Sequence, residues 1–490
     1  MKKQSIRFLA LFLAVLMVLS GCTAAPADGT TQKADPVIGQ ESNQTEVIPE
    51  ETTISEEEKE ELWVVYGTDV WTGFPQTKYW EFIVEQYSLT HPDVEVRLEA
   101  VPKDEMELQR LRTQIMAGKG PDLYLMCRND TLFADPYQSM RNGLFADLSE
   151  YYDTDTSLNK EELNQAIMDA GVYDGNRYII PYSYDIPIAY VDTVQFEALG
   201  GSMDMFDGGI VQLYEDLVAT GNPKLIWGAS LSKPSQRFHS FNFLPDLLDY
   251  ENQEVLITAE DIAQFLKVVQ AARAAQYFDV EELPTLNFLT SPSLEAVKTY
   301  GKTWRDYICM YIGTTPQHAI NVGFTKMSGI EIDAIPVAAA DGELVADILF
   351  YGAVGAGCKE LDLAYAFLST VSEVLQIKSP FGSNGMLSIG WPVRITGSAE
   401  NIANHNYSQS AFGELRLAYL GSSMPEITND DIPFLKAKID RVHYYTSLEH
   451  DLSDIIDTLN DPNTGVPTDV DIDAVAADFI EELEWHLYEG

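Results

Sequence analysis

The chain has 490 residues, and 31 Lys and Arg against 76 Asp and Glu give it a formal charge of −45. A surface this acidic repels nucleic-acid phosphates and anionic lipid headgroups, which excludes both as electrostatic partners. Hydrophobic residues at 46% suffice for a large core, the length predicts two domains or one elaborate one, and 4 cysteines exclude a disulfide-stapled scaffold.

The first twenty residues read as an export signal. Lys2, Lys3 and Arg7 precede an apolar run from Phe8 to Leu19, too short for a spanning helix of roughly 20 residues. The run ends in Leu19-Ser20-Gly21-Cys22, which resembles the lipobox of bacterial lipoproteins; the resemblance implies cleavage before Cys22 and lipidation of its thiol. Several acyl chains would hold the protein at a membrane, each buried methylene adding about 0.8 kcal/mol. Residues 23–60 hold no aromatic residue, ten acids and two lysines, the composition of a flexible, charge-extended tether. The expected location is extracytoplasmic, anchored to the cell membrane through Cys22.

The folded part begins with alternating strand and helix patterns. Leu62-Trp63-Val64-Val65-Tyr66 is an apolar run ending at Gly67, as a buried parallel strand would. Tyr79, Phe82, Ile83 and Tyr87 recur at helical spacing up to the stop at His91-Pro92-Asp93. Val94, Val96 and Leu98 alternate with charged residues as a strand, and Leu108, Leu111 and Ile115 form a second helical stripe ended by Ala117-Gly118. Gly120-Pro121-Asp122 turns into the apolar run Leu123–Cys127, a third strand. Such an open α/β sheet binds ligands outside the carboxyl ends of its strands, so the loops after Tyr66 and Cys127 are the first places to look. Toward the C-terminus two further helices are expected, one on Leu435, Ile439 and Val442, the other on Val475, Phe479, Leu483 and Leu487.

Several segments, in order, resemble the extracellular solute-binding proteins of carbohydrate-type ABC importers. They are Ala117-Gly118-Lys119-Gly120-Pro121-Asp122, Gly143–Leu148, Asp174-Gly175-Asn176-Arg177-Tyr178-Ile179-Ile180-Pro181, Ile188–Asp192, Cys309–Gly313, Tyr365–Leu368 and Trp391–Arg394. The likeness is patchy but collinear over about 62–394. It implies an α/β fold of periplasmic-binding-protein type: two lobes, each a mixed sheet flanked by helices, joined by crossing hinge strands with the ligand held between them. On that expectation residues 1–21 are the signal, 22–61 the lipidated tether, 62–186 plus 350–391 lobe 1, and 187–349 plus 392–490 lobe 2. The crossings are expected near 185–189, 350–355 and 392, with Gly352, Gly355 and Gly357 either absorbing the hinge rotation or only punctuating a strand. The implied partners are a small-molecule solute, most readily a carbohydrate, and the membrane permease subunits of an importer.

A sugar has a polar rim and apolar ring faces, so its site needs aromatic platforms beside carboxylates, amides and guanidiniums. The loop after the first strand offers Asp69, Trp71 and Phe74; the loop after the third offers Arg128, Asn129 and Asp130. Tyr184 and Asp185 lie on the first crossing strand, Trp227 and Arg237 in an aromatic-rich stretch of lobe 2, and Trp391 and Arg394 at the third crossing. A peptide or other non-sugar solute is the alternative ligand.

A secreted hydrolase is the alternative class, but the seven histidines form no His-Glu-x-x-His, and no Gly-x-Ser-x-Gly elbow or phosphate loop occurs. No catalytic residue, cofactor or metal site is therefore assigned. Asp153, Asp155 and Ser157 imitate the start of a calcium loop, yet Leu158 stands where its glycine belongs and Asn164 where its closing Glu belongs. Cys127, Cys309 and Cys358 are read as small buried residues, with one disulfide among them left open.

Overall fold

The computed structural model of the chain describes residues 60–67, 77–128, 130, 132–223, 225, 244, 246–275, 310–313, 332–374, 391–393, 437–444, 446–461 and 465–489. In chain order the elements used below are β1 (Glu60–Tyr66), α1 (Thr77–Ser88), β2 (Val94–Ala100), α2 (Glu105–Met116), β3 (Leu123–Cys127), α3 (Pro136–Arg141), α4 (Gln165–Asp169), β4 (Ile179–Asp185), β5 (Ile188–Val191), α5 (Gly209–Ala219) and α6 (Ala259–Ala275). They continue with β6 (Met310–Gly313), β7 (Asp333–Pro336), β8 (Val345–Val354), α7 (Leu361–Val374), β9 (Trp391–Pro392), β10 (Arg441–Tyr444), α8 (Ser447–Thr458) and α9 (Ile472–Glu489).

The opening β-α-β-α-β pattern folds as its periodicity dictates. Leu108, Leu111 and Ile115 are the buried stripe of α2, and Asp104 caps its start by accepting from the amides of Met106 and Glu107. β1 pairs in parallel with both β2 and β3, and β3 is buried at every residue. The sheet then runs β9-β4-β8-β3-β1-β2, with β10 also pairing with β8. β8 is antiparallel to β3 and β4 and parallel to β10, so the sheet is mixed. A second sheet orders β6-β5-β7, both outer strands antiparallel to β5.

Each sheet has its own hydrophobic core. The first holds β1, β3, β4, β8, α7 and Tyr444 of β10. The second holds Val191 of β5, the apolar faces of α5 and α6, and Leu448, Leu452, Phe479 and Leu483 of α8 and α9. This is the expected α/β fold of two lobes, each a sheet with flanking helices. Among the described residues the chain passes between the cores at three places: between Asp185 and Ala189, between Pro336 and Val345, and between Tyr444 and Leu448. The first two passages are tied together where the amide of Val337 donates to the carbonyl of Pro187 at 3.0 Å.

Three expectations are corrected. β8 begins at Val345 and all of it is buried in the first sheet, so the second passage precedes residue 350. Trp391–Pro392 pairs with Tyr184–Ser183 of the first sheet, and Val393, Ile439 and Tyr444 pack in the first core, so the passage back follows 444 rather than 392. The stripe read as a helix through Ile439 and Val442 ends in a strand, because residues 441–444 pair with 345–348 of β8 and that pairing overrides local periodicity. The glycines near 352 are packing residues: a Cβ on Gly355 would stand 2.4 Å from the carbonyl oxygen of Pro121, and one on Gly352 would meet Leu368 and Tyr182. The helix expected through Val475, Phe479, Leu483 and Leu487 is α9.

Candidate functional site

The three passages meet on two adjacent rungs of the first sheet. On one rung Ile348 of β8 lies between Tyr184 of β4 and Tyr444 of β10; on the next, Asp347 lies between Asp185 and His443. Side chains alternate along a strand, so these rungs point to opposite faces. The tyrosine rung faces α3 and α4: the Tyr444 hydroxyl donates to Ala170 O at 3.1 Å, and its ring packs edge-on against Tyr137 of α3. The aspartate rung faces the other side. An irregularity between Ile348 and Phe350 keeps Asp347 on the same face as Phe350, whose ring meets Trp80 of α1.

That second face concentrates charge in a buried place. Asp185 is 3% exposed and Asp347 1%. His443 Nε2 lies 2.6 Å from Asp347 Oδ1, and Arg128 Nη1 lies 3.8 Å from Asp347 Oδ2. Arg128 is fixed by its backbone, its amide donating to Leu349 O at 2.9 Å just beyond the β3–β8 pairing. A buried carboxylate needs such partners, because removal from water disfavours its charge. The cluster therefore offers carboxylate acceptors and a guanidinium donor where the two cores join. Tyr184, one rung away, has its phenol pushed up to about 12 by burial, with a hydrogen bond from Asn164 acting the other way. From β10, Arg441 reaches across to the second core through Leu244 O at 2.7 Å and Asp246 Oδ1 at 3.0 Å.

Of the residues expected at the site, Tyr184 and Asp185 fall on these strands, Arg128 directly follows β3, and Trp391 joins them through its backbone pairing with Tyr184. Asp130 turns back on its own loop: its carboxylate accepts from the amide of Cys127 at 2.6 Å and occupies the space over Gly67, where a Cβ would stand 1.5 Å from Oδ2. Asp69, Trp71, Phe74, Asn129, Trp227, Arg237, Arg394 and the lipidation candidate Cys22 lie outside the described residues. Asp347 and His443 were missed. A signal for Asp347 existed: it is the one charged residue in the run Val345-Ala346-Asp347-Ile348-Leu349-Phe350, and a charge inside an apolar strand asks for a reason. His443 carried no such signal.

The calcium imitation at Asp153–Ser157 is a structural turn. Asp155 accepts from Ser157 and Leu158 of its own loop and from Tyr365 and Ser369 of α7. Cys358 is a free thiol, and Cys309 lies outside the described residues. Burial first, then the charge of Asp122, pushes the Cys358 thiol up to about 12.

Residues 73–278 match the family model described as bacterial extracellular solute-binding protein. No curated protein matches the chain. Among solved structures it is similar to the cyclic α-maltosyl-1,6-maltose binding protein from Arthrobacter globiformis, at 15% identity and a TM-score of 0.49, covering 88% of this chain and 100% of that one. It is similar also to the galacto-N-biose-/lacto-N-biose I-binding protein from Bifidobacterium longum in complex with lacto-N-biose, at 12% identity and a TM-score of 0.49, covering 88% of this chain and 98% of that one. At such identities these likenesses transfer no residue and no ligand.

Proposed function

We propose that this chain, which through residues 73–278 belongs to the bacterial extracellular solute-binding proteins, is a receptor that captures a sugar or oligosaccharide between two lobes and delivers it to an ABC importer. The observation that carries the reading is the hinge: three passages between two cores, with Asp185 and Asp347 buried side by side on the strands that cross. Among the described residues lobe 1 takes 60–188, 344–374, 391–393 and 437–444, and lobe 2 takes 189–223, 246–275, 310–313, 332–343 and 446–489 apart from 462–464. The aromatic residues Trp71, Phe74, Trp227 and Trp391 supply stacking platforms, and Asp69, Arg128, Asn129, Asp185, Arg237 and Arg394 supply the polar rim. Affinity is then set by the free-energy difference between open and closed lobes. The chain performs no chemistry on the solute and needs no cofactor. After export, a lipid on Cys22 holds it at the membrane and the residues between Cys22 and β1 give it reach.

A thermal-shift screen of the mature chain against mono- and oligosaccharides and short peptides tests this, since a ligand that binds only the folded form raises the melting temperature. Stabilisation by peptides and by no sugar would remove the sugar. Turnover of a glycoside would remove the receptor. Trp71→Ala is expected to weaken binding while leaving the melting temperature of the free protein unchanged.

A further inference from the structure

The face of the hinge opposite the aspartate rung carries a second set of contacts between the lobes. They centre on Asp135, which caps α3 in lobe 1 and is 2% exposed. Its Oδ1 accepts from the amides of Tyr137 and Gln138. Its Oδ2 is held wholly from lobe 2, by the hydroxyl of Tyr250 and by His486 Nε2 of α9 at 3.0 Å. Gln138 donates its side-chain amide to the carbonyl of His486, and the Tyr137 and Tyr250 rings stack at 5.6 Å. Tyr137 fixes the side on which this happens, because its ring packs against Tyr444 of the tyrosine rung and its hydroxyl donates to Val442 O. A cavity of about 220 Å³ opens beside Tyr137 and Tyr250, so the seam is incompletely packed there and its hydrogen bonds carry more of the contact.

From this geometry we infer that Asp135, Tyr250, His486 and Gln138 form a back-side latch that holds the lobes open on the solute side and so sets solute affinity from outside the site. The inference rests on the receptor reading above. Its logic is that of a hinge: the crossing strands lie between the two faces, so a rotation that brings the lobes together over Asp185 and Asp347 draws them apart at Asp135. Closure then leaves the Asp135 carboxylate without its lobe 2 donors. Hydrogen bonds to a charged acceptor are among the stronger ones, and losing one shifts an equilibrium roughly tenfold or more. Weakening the latch in the free protein lowers the cost of closing, and apparent affinity rises with the fraction of closed form.

The test uses the mature chain with its cysteines replaced by alanine and spin labels on new cysteines at Met106 and Val194, which are 80% and 74% exposed, one in each lobe. Tyr250→Phe removes the hydroxyl and keeps the stacked ring; Gln138→Met removes the amide at nearly constant size. Without any solute, Tyr250→Phe is expected to raise the closed-to-open ratio of the distance distribution roughly tenfold, and Tyr250→Phe with Gln138→Met further. An unchanged distribution in both variants, or a lowered melting temperature at unchanged distance, makes the cluster a structural tie and overturns the latch. A shift toward wider separation overturns its direction. The receptor reading fails separately, when no sugar or peptide in the thermal-shift panel stabilises the unsubstituted chain.

Discussion

Asp347→Asn isolates what the hinge charge contributes. The substitution keeps size and one carbonyl acceptor, so His443 Nε2 retains a partner, but it leaves the Arg128 guanidinium at 3.8 Å without its anion. Breaking a fully buried ion pair costs roughly 3–5 kcal/mol, and exposed pairs are worth about 0–1 kcal/mol. Asp347 belongs to the first class at 1% side-chain exposure, but Arg128 and His443 keep 16% and 17%. Water therefore reaches the cations in part, and the expected loss is about 2–3 kcal/mol. Urea unfolding at neutral pH reads it as a lowered midpoint at constant slope. Arg128→Met added to Asp347→Asn should recover part of the loss, because the orphaned cation is then gone. A loss under about 0.5 kcal/mol, or simple additivity of the two substitutions, would refute the account of Asp347 as the anion that permits a buried cation here.

Three other outcomes are expected. Gly67→Ala forces the Asp130 carboxylate away and breaks its bond to the Cys127 amide, so it should lower stability by about 1–3 kcal/mol in the same assay. Burial works against the charge of Asp155, but hydrogen bonds from Ser157, Leu158 and Tyr365 outweigh it and hold the carboxyl below its usual range. A depressed acid stabilises the fold above its unfolded value and loses that contribution as pH falls through its folded one. Asp155→Asn should therefore melt lower than the unsubstituted chain at pH 7, with the gap closing below about pH 4 in a melting series. Glu482 is the opposite case, raised first by burial and then by the charge of Asp451. Its ionised form is disfavoured in the fold, so Glu482→Gln should melt higher at neutral pH, and the gain should shrink on acidification through the raised value.

Much of the fold was legible because the responsible forces are local and periodic. The parallel run β1-α1-β2-α2-β3 follows from apolar spacing and from the breaks at His91-Pro92-Asp93 and Gly120-Pro121-Asp122. The passages between lobes were legible only once. The segment Ile188–Asp192 resembles a crossing strand, whereas the return at 336–345 is fixed by which strands accept β8 as a partner, a long-range choice that no local window contains. The same holds for β10, whose spacing imitates a helix and whose strand form exists only because 345–348 offers an edge. The site divides likewise. Arg128 and Asp185 could be named from position after a strand end, but their neighbours Asp347 and His443 come from segments more than 150 residues away, brought to one rung by sheet register.

That register also decides what the hinge can do. A shift of one residue of β8 against its neighbours would turn Asp347 toward α3 and away from Asp185 and His443, which keep their face. The irregularity at Ile348–Phe350 is what lets both parts of β8 bury their large rings while keeping the aspartates on the α1 side. Carboxylates on one face and the Asp135 cluster on the other make the crossing strands a lever with opposed polar contacts at its two ends. Capture of solute is then a competition between those ends, and residues distant from the solute enter its affinity as directly as those that touch it.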